Sequence, residues 1–458
     1  MTRTKTPEGG NSGPIKSGVE KLAAVEDVVQ TELGCLSADW RVDRFDSVFD
    51  VQQGRQVSKN NRVGENQRPF LRTKNVFWNR LDLADLDEMH FSEADESRLA
   101  LKPDDLLICE GGDIGRTAIW RGAISRCYYQ NHLHRARIRD PNTADAQFVL
   151  FWLWYAFEFG HLYFGRGNVT TIPNLSQSKL RELPLAIPPL VEQRKIAGVL
   201  AAVQRAMEQQ ERLIALTTEL KKALLHQLFT QGLRGEARKQ TEIGPVPESW
   251  EVVKLEDLFD TQLGKMLSQK ARTGDDPKLY LRNKNVQWGA IDTTDLLSMD
   301  FNERERGKFI LVPGDLLVCE GGEPGRAAIW HGAVKECYYQ KALHRLRPKS
   351  DTISNEFLAH WLEFALRYQD LYGVAGASST IAHLPEVQLM MLQVPLPSRN
   401  EQDSMVESLN AVDNKIALHQ SRHAALTALF RTLLHQLMTA QIRVRDLNLP
   451  ELKTAKGQ

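Results

Sequence analysis

Apolar residues follow two textures along this chain, and the change from one to the other occurs twice. From about 40 to 187, and again from about 250 to 396, short apolar runs such as Leu106, Leu107 and Ile108 are broken by Gly, Pro, Asn and Asp. Such runs between turn-forming residues predict short strands with some helix, a mixed α/β globule. From about 192 to 228 there is no Pro and no Gly except Gly198, and apolar residues recur at Ile196, Leu200, Val203, Met207, Ile214, Leu224 and Leu228. Spacings of three and four predict a long helix with a heptad seam that requires a helical partner. Gln210, Thr217 and Lys221 interrupt that seam. A second stretch repeats it through Met405, Leu409, Val412, Ile416, Leu426, Phe430, Leu433 and Leu437, with His419 and His423 on the same face. At 1.5 Å per residue, roughly 37 residues form a rod of about 55 Å. Pro188 and Pro189 mark the first helix start, Ser398 and Glu401 offer a capping box for the second, and Gly232 lies just past the first. Segment 15–30 is expected to add a short helix.

The recurrence reflects an internal repeat. TELGCLSADW at 31–40 returns as TEIGPVPESW at 241–250, and PDDLLICEGGDIGRTAIWRGAISRCYYQ at 103–130 returns as PGDLLVCEGGEPGRAAIWHGAVKECYYQ at 313–340, with 19 of 28 positions identical. HQLFTQGLR at 226–234 matches HQLMTAQIR at 435–443, so the offset falls from 210 to 209. A period this long means duplication of a domain-sized unit, since solenoid repeats run at ~20–50 residues. The expected fold is therefore mixed α/β and internally duplicated: two globular domains separated by two long antiparallel, coiled-coil-like helices about a pseudo-two-fold axis. The expected boundaries are a tail at 1–30, a globule at 31–188, a helix at 189–240, a globule at 241–397, a helix at 398–445 and a tail at 446–458.

Composition narrows the function. With 458 residues, 42% hydrophobic and 25% charged, the chain contains no apolar run near the ~20 residues that span a bilayer, so no membrane role is expected. Residues 1–20 lack the apolar core of a signal peptide, which points to the cytoplasm. Five cysteines without a C-x-x-C pair read as reduced, buried thiols. GGDIGRT at 111–117 is no phosphate loop, because three residues rather than four separate Gly111 from Gly115 and Arg116 follows in place of Lys. His132 and His134 have no partner ligands at metal-binding spacing, and the repeat replaces the first with Ala342. No nucleophile elbow or dinucleotide fingerprint is present, so no catalytic residue, cofactor site or metal site is expected.

Charge placement points to a polyanion although 58 basic residues balance 58 acidic ones. Residues 51–80 carry Arg55, Lys59, Arg62, Arg68, Arg72, Lys74 and Arg80 against Glu65, and residues 261–290 carry six bases against Asp275 and Asp276. LRTKNVFW at 71–78 and LRNKNVQW at 281–288 make Arg72, Lys74, Arg282 and Lys284 candidate phosphate contacts, with Asn75 and Asn285 as candidate adenine readers. CYYQNHLHRARIR at 127–139 and CYYQKALHRLRP at 337–348 read as strands with one buried and one polar face. That face offers Gln130, Gln340, Arg135 and Arg345 to nucleic acid, with Tyr128 and Tyr338 in the core. Arg116 and Arg326 follow a tight Gly-rich turn that could face a phosphate or another loop.

Taken together, IPPLVEQRKIA at 187–197, the D-L-L-x-x-E-G-G strand and turn, and the Y-x-Q-x-x-x-x-R-x-R strand resemble the specificity subunit of type I restriction-modification enzymes. The resemblance covers about 31–445 and implies two target-recognition domains that each read one half of a bipartite double-stranded DNA sequence. It also implies a chain without catalysis, whose helices dock two modification subunits, with restriction subunits joining them. Glu192, Gln193 and Ile196, with Glu401 and Gln402 in the second copy, are the docking residues this resemblance suggests. S-adenosylmethionine, ATP and magnesium would then belong to the partners. The repeat at 397–405 departs from the pattern, with Ser398, Arg399 and Asn400 in place of a proline and hydrophobic residues. Two rival readings are a stand-alone DNA methyltransferase or nuclease, and a coiled-coil scaffold whose globules bind proteins.

Overall fold

The computed structural model describes residues 28–59, 62–163, 174–272, 274, 276–371 and 383–444. The tail at 446–458, and the tail and short helix expected before residue 28, lie outside the described residues. Val28–Thr31 is a strand, paired antiparallel with Gly34–Ser37, so the helix expected at 15–30 does not extend to its last positions. An extended segment wins there because Gly34 closes a two-residue turn that pairs the flanking residues.

The chain divides into two compact units, one made of residues 1–208 and 424–458 and the other of residues 209–423. Each is mixed α/β, and the two repeat the same sheets. In the first, an antiparallel sheet is ordered Thr117–Ile119, Leu106–Cys109, Leu133–Ile138, Phe49–Gln53. A smaller sheet places Tyr128–Tyr129 parallel to Gln67–Leu71, which pairs antiparallel with Asp87–His90. In the second unit the larger sheet runs Phe259–Leu263, Leu343–Pro348, Leu316–Cys319, Ala327–Ile329, and the smaller one joins Leu297–Asp300, Pro277–Leu281 and Tyr338–Tyr339.

The uninterrupted apolar run LLIC follows from burial on both sheet faces. Leu106 and Ile108 enter a core with the long helices, whereas Leu107 and Cys109 enter a second core beneath the smaller sheet. Leu316 and Val318 divide from Leu317 and Cys319 in the same way. Leu133–Ile138 was expected to show a polar face, yet its first four residues are all buried. His134 fits there because its Nε2 lies 2.8 Å from the Leu175 carbonyl, and burial holds its pKa below the usual imidazole value.

The long helices are Leu190–Gln231 and Arg399–Met438. In the first unit Ile196 and Leu200 pack with Phe430, Leu434 and Leu437; in the second Leu225, Leu228 and Phe229 pack with Met405 and Leu409. The pairing is antiparallel, since Gln210 meets His419 at 2.8 Å while Lys221 meets Asp413 at 2.7 Å. The seam drifts by one position from the heptad expectation: Leu225 and Leu434 are fully buried, and Leu224 and Leu433 only partly. A helix of 3.6 residues per turn rotates ~20° per heptad, and here each end also faces a globule. The expected capping box is absent as well. Glu401 turns instead to the Leu233 amide at 3.1 Å, and Arg234 donates to Ser398 Oγ. Four cysteines are buried as expected, with burial raising Cys109 to about 11 and Cys127 to about 12, but Cys35 is exposed on its short strand.

Candidate nucleic-acid interface

The basic windows are much less cationic in the fold than in the sequence. Acids from residues 85–96 reach Arg55 (Asp95), Arg68 (Glu96, 2.7 Å), Arg72 (Asp87, 2.6 Å) and Lys74 (Asp85, 2.8 Å). In the second unit Glu305 pairs with Lys265 at 2.6 Å, and Asp295 pairs with both Arg282 and Lys284. The Lys74 ammonium hydrogen-bonds Asp85 and lowers its pKa. These surface pairs still carry cations at the rim, but a phosphate contact there must displace a carboxylate.

Asn75 and Asn285, expected as base readers, are instead turn formers. Each is buried; Oδ1 accepts the Arg72 or Arg282 amide at 2.9 Å, and Nδ2 donates to the carbonyls of Asp82 and Asp85, or Asp292 and Asp295, at 3.0–3.2 Å. With both ends of the amide occupied, neither can present an edge to adenine. Arg135 is likewise committed, being 5% exposed and bound to Asp50 at 2.7 Å. Arg345 donates to the Lys308 carbonyl at 3.0 Å and lies over the Tyr339 ring. Tyr128 and Tyr338 stack on Phe91 and Phe301, in the core as expected.

Arg116 and Arg326 are engaged within the fold. Each donates at 2.8 Å to a carbonyl of the neighbouring single-turn helix, Thr73 or Asn283, so the arginine after the turn ties it to another loop. Gly115 is required because its φ is +81° and a Cβ would strike the Phe157 ring; Gly325 meets Leu366 in the same way.

Gln130 and Gln340 remain as candidates of a different kind. Their backbone amides bond the Leu71 and Leu281 carbonyls at 3.0 Å, but among the described residues neither side-chain amide has a hydrogen-bond partner. Gly54 and Gly264 lie so close that a Cβ would sit 2.2–2.3 Å from the Gln130 or Gln340 carbonyl oxygen. This approach, with the bridges Arg55–Gln130 and Lys265–Gln340, makes the loops that follow begin at the two glutamines. These loops carry cations that the fold leaves exposed. Lys59, Arg62 and Arg272 are exposed and, among the described residues, have no carboxylate partner, while Val63 is 83% and Met266 63% exposed. The available signal was divergence between repeats: RQVSKNNRVG and KMLSQKARTG share three of ten positions, against three of five in the preceding strands FDVQQ and FDTQL.

The residues expected to dock subunits all lie inward. Gln193 Oε1 accepts the Asp145 amide at 2.8 Å and its Nε2 donates to Thr143 and Pro188; Gln402 makes the same bonds to Ser354, Thr352 and Pro397. Ile196 is in the core, Glu192 is held by Arg443 at 2.7 Å, and Glu401 is 5% exposed. These side chains tie each long helix to its own globule and have no area left for a partner. Leu213, Leu216 and Leu220 instead form an exposed apolar stripe at spacings of three and four. Among the described residues no group of His, Cys, Asp and Glu could hold a metal ion, and no helix is long and apolar enough to cross a membrane.

Comparison with known proteins agrees with this repeated architecture. The family described as type I restriction modification DNA specificity domain matches twice, at residues 37–218 and 247–428. The type I restriction enzyme MjaVIII specificity subunit of Methanocaldococcus jannaschii is 28% identical over 288 residues, covering 61% of this chain and 67% of that protein. The putative MjaX specificity subunit of the same organism is 21% identical across 92% of this chain and 97% of its own. The crystal structure of a type I system S subunit from M. genitalium shares the fold with a TM-score of 0.56 at 18% identity, covering 87% of this chain and 96% of that one. The chain belongs to the type I restriction modification specificity family and is the DNA-recognition subunit of such a system, without catalysis of its own.

Proposed function

We propose that each globule reads one half of a bipartite duplex target through its unbonded glutamine and the loop beside it. The observation that carries this reading is the pair of side-chain amides, Gln130 (5% exposed) and Gln340 (half-buried), which occupy equivalent positions in the two units, lack a hydrogen-bond partner among the described residues, and sit where the loops carrying the exposed Lys59, Arg62 and Arg272 begin. An amide can bond an adenine edge bidentately, while Lys59, Arg62 and Arg272 neutralise phosphates. Arg72, Lys74, Arg282 and Lys284 take part only at the rim, through cations shared with Asp85, Asp87 and Asp295.

Identical readers on repeated units favour a target whose halves are inverted repeats around a spacer. Symmetry breaks where Asn131 faces Lys341, His132 faces Ala342, and Gln53 faces Leu263 in the alignment of the repeats. Modification subunits, two per chain, dock along the long helices, with the Leu213, Leu216 and Leu220 stripe as one contact. They contribute S-adenosylmethionine chemistry, and restriction subunits bring ATP and magnesium; the complex would act in the cytoplasm. Mapping methylated bases in the host genome with and without this gene tests the reading. Gln130→Ala should relax one position in one half-site and Gln340→Ala the matching position in the other. Two unrelated half-sites, or unchanged specificity in both variants, would remove the glutamines as readers.

A further inference from the structure

Among the equivalent positions at which the two units differ, one set lies where a globule meets the long helices. In the second unit Lys221 is buried between Glu363 at 2.6 Å and Asp413 at 2.7 Å; Arg367 also reaches Glu363, and His360 lies 3.0 Å from Asn410 Oδ1. Lys221 is on the first long helix, Asn410 and Asp413 are on the second, and His360 and Glu363 are on the helix of the globule. The repeat offset of 209 places Phe430 at the position of Lys221, Phe151 at His360, Trp154 at Glu363, Ala201 at Asn410 and Gln204 at Asp413. In the first unit those residues form an aromatic cluster: Phe430 lies 6.0 Å from Phe151 and 5.0 Å from Trp154, which stacks on Trp78 at 5.4 Å. Gln204 is buried beside it and accepts from Asn79 at 2.7 Å.

Several flanking positions have not diverged. Leu225 and His226 match Leu434 and His435, Phe148 and Trp152 match Phe357 and Trp361, and Gln193 matches Gln402 with the same three hydrogen bonds. Duplication therefore leaves each globule able, by shape, to accept the C-terminal half of either long helix. In a second copy of the chain the wrong half is always available. Charge and aromaticity separate the two options. The first long helix placed on the first globule would bury Lys221 among Phe151 and Trp154 with no carboxylate. The second long helix placed on the second globule would set Phe430 against Glu363 and Asp413, leaving Asp413 without its cation and Glu363 with Arg367 alone. A buried charge deprived of its partner is strongly disfavoured, and this kind of polar specification of pairing is well attested in coiled coils.

We infer that these five pairs of positions form a pairing code that joins each globule to the correct half of the correct helix and excludes assembly between like repeats of two chains. The code predicts a gain of assembly from exchanging two residues. In full-length Lys221→Phe/Phe430→Lys both sites are satisfied together only if the first long helices of two chains pair with each other and the second ones likewise. After refolding, light scattering on eluted protein should show that variant at twice the wild-type mass or more, while Lys221→Phe and Phe430→Lys alone stay at wild-type mass with lowered melting temperatures. A folded double variant of wild-type mass would overturn the code.

Should the double variant not fold, a second full-length variant decides. Lys221→Phe/His360→Phe/Glu363→Trp/Asn410→Ala/Asp413→Gln gives both units the aromatic set, which removes discrimination and leaves unpaired only Arg367, whose side chain is 41% exposed. When two differently tagged populations are unfolded together and refolded, co-purification of the two tags should rise at least tenfold over wild type. Co-purification equal to wild type would refute the proposal.

Discussion

Removing Arg443 should loosen the first unit far more than removing Arg234 loosens the second, although the two arginines are equivalent in the repeat. Arg443 holds Glu192 bidentately at 2.7 and 2.8 Å and Asp39 at 2.7 Å, with Glu192 only 1% exposed. The pairing raises the Arg443 pKa, with the hydrogen bond to Glu192 as the largest cause. In Arg443→Met the Glu192 carboxylate stays buried without its cation, a change worth about 3–5 kcal/mol. Arg234 lies 3.7 Å from Glu401 and is 58% exposed, and Glu401 keeps the Leu233 amide at 3.1 Å. Its loss should cost about 1 kcal/mol or less. A chain of two units need not unfold in one step, so a local measurement is preferable to a global melt. Amide hydrogen exchange followed by mass spectrometry should show opening around residues 190–200 and 434–444 accelerated by roughly two to three and a half orders of magnitude in Arg443→Met. Around 231–234 and 399–409, Arg234→Met should change it about fivefold at most. Equal effects of the two variants would refute the argument that burial of the acid sets the magnitude.

Four further outcomes are expected. Lys59→Ala with Arg62→Ala should lower the slope of log DNA affinity against log salt by about 0.9 for each phosphate left without its cation, whereas Arg72→Ala with Lys74→Ala should lower it less, because Asp85 and Asp87 already neutralise those cations. Asn75→Ala should destabilise the first unit by about 1–3 kcal/mol in chemical denaturation through loss of its buried hydrogen bonds, and leave the mapped target sequence unchanged. Leu216→Asp with Leu220→Asp should weaken co-purification of modification subunits without altering the circular dichroism of the chain alone. Native alkylation at pH 8 should modify one thiol, Cys35, since burial raises Cys109 and Cys319 to about 11 and Cys127 and Cys337 to about 12, so their thiolates are scarce; all five should react in denaturant.

The duplication, the α/β class, the two long helices and the absence of catalytic motifs were all legible in the residues, because repetition and periodicity are local properties. The heptad seam at Ile196, Leu200, Met405 and Leu409 shows on one helix alone, and so do the double-faced strands LLIC and LLVC. Long-range pairing was not legible. Lys74 reads as a free cation until the fold brings Asp85 alongside it, and Asn75 reads as a base reader until the carbonyls of Asp82 and Asp85 occupy its amide. Glu192 and Gln193 look like an exposed polar pair at a helix start, yet Arg443, 251 residues away, and the segment before Asp145 turn them inward. Lys221 is only an interruption of a seam until Glu363 and Asp413 close around it. A polar side chain is available to DNA or a partner subunit only if no group elsewhere in the fold has satisfied it, and tertiary structure alone decides which groups those are.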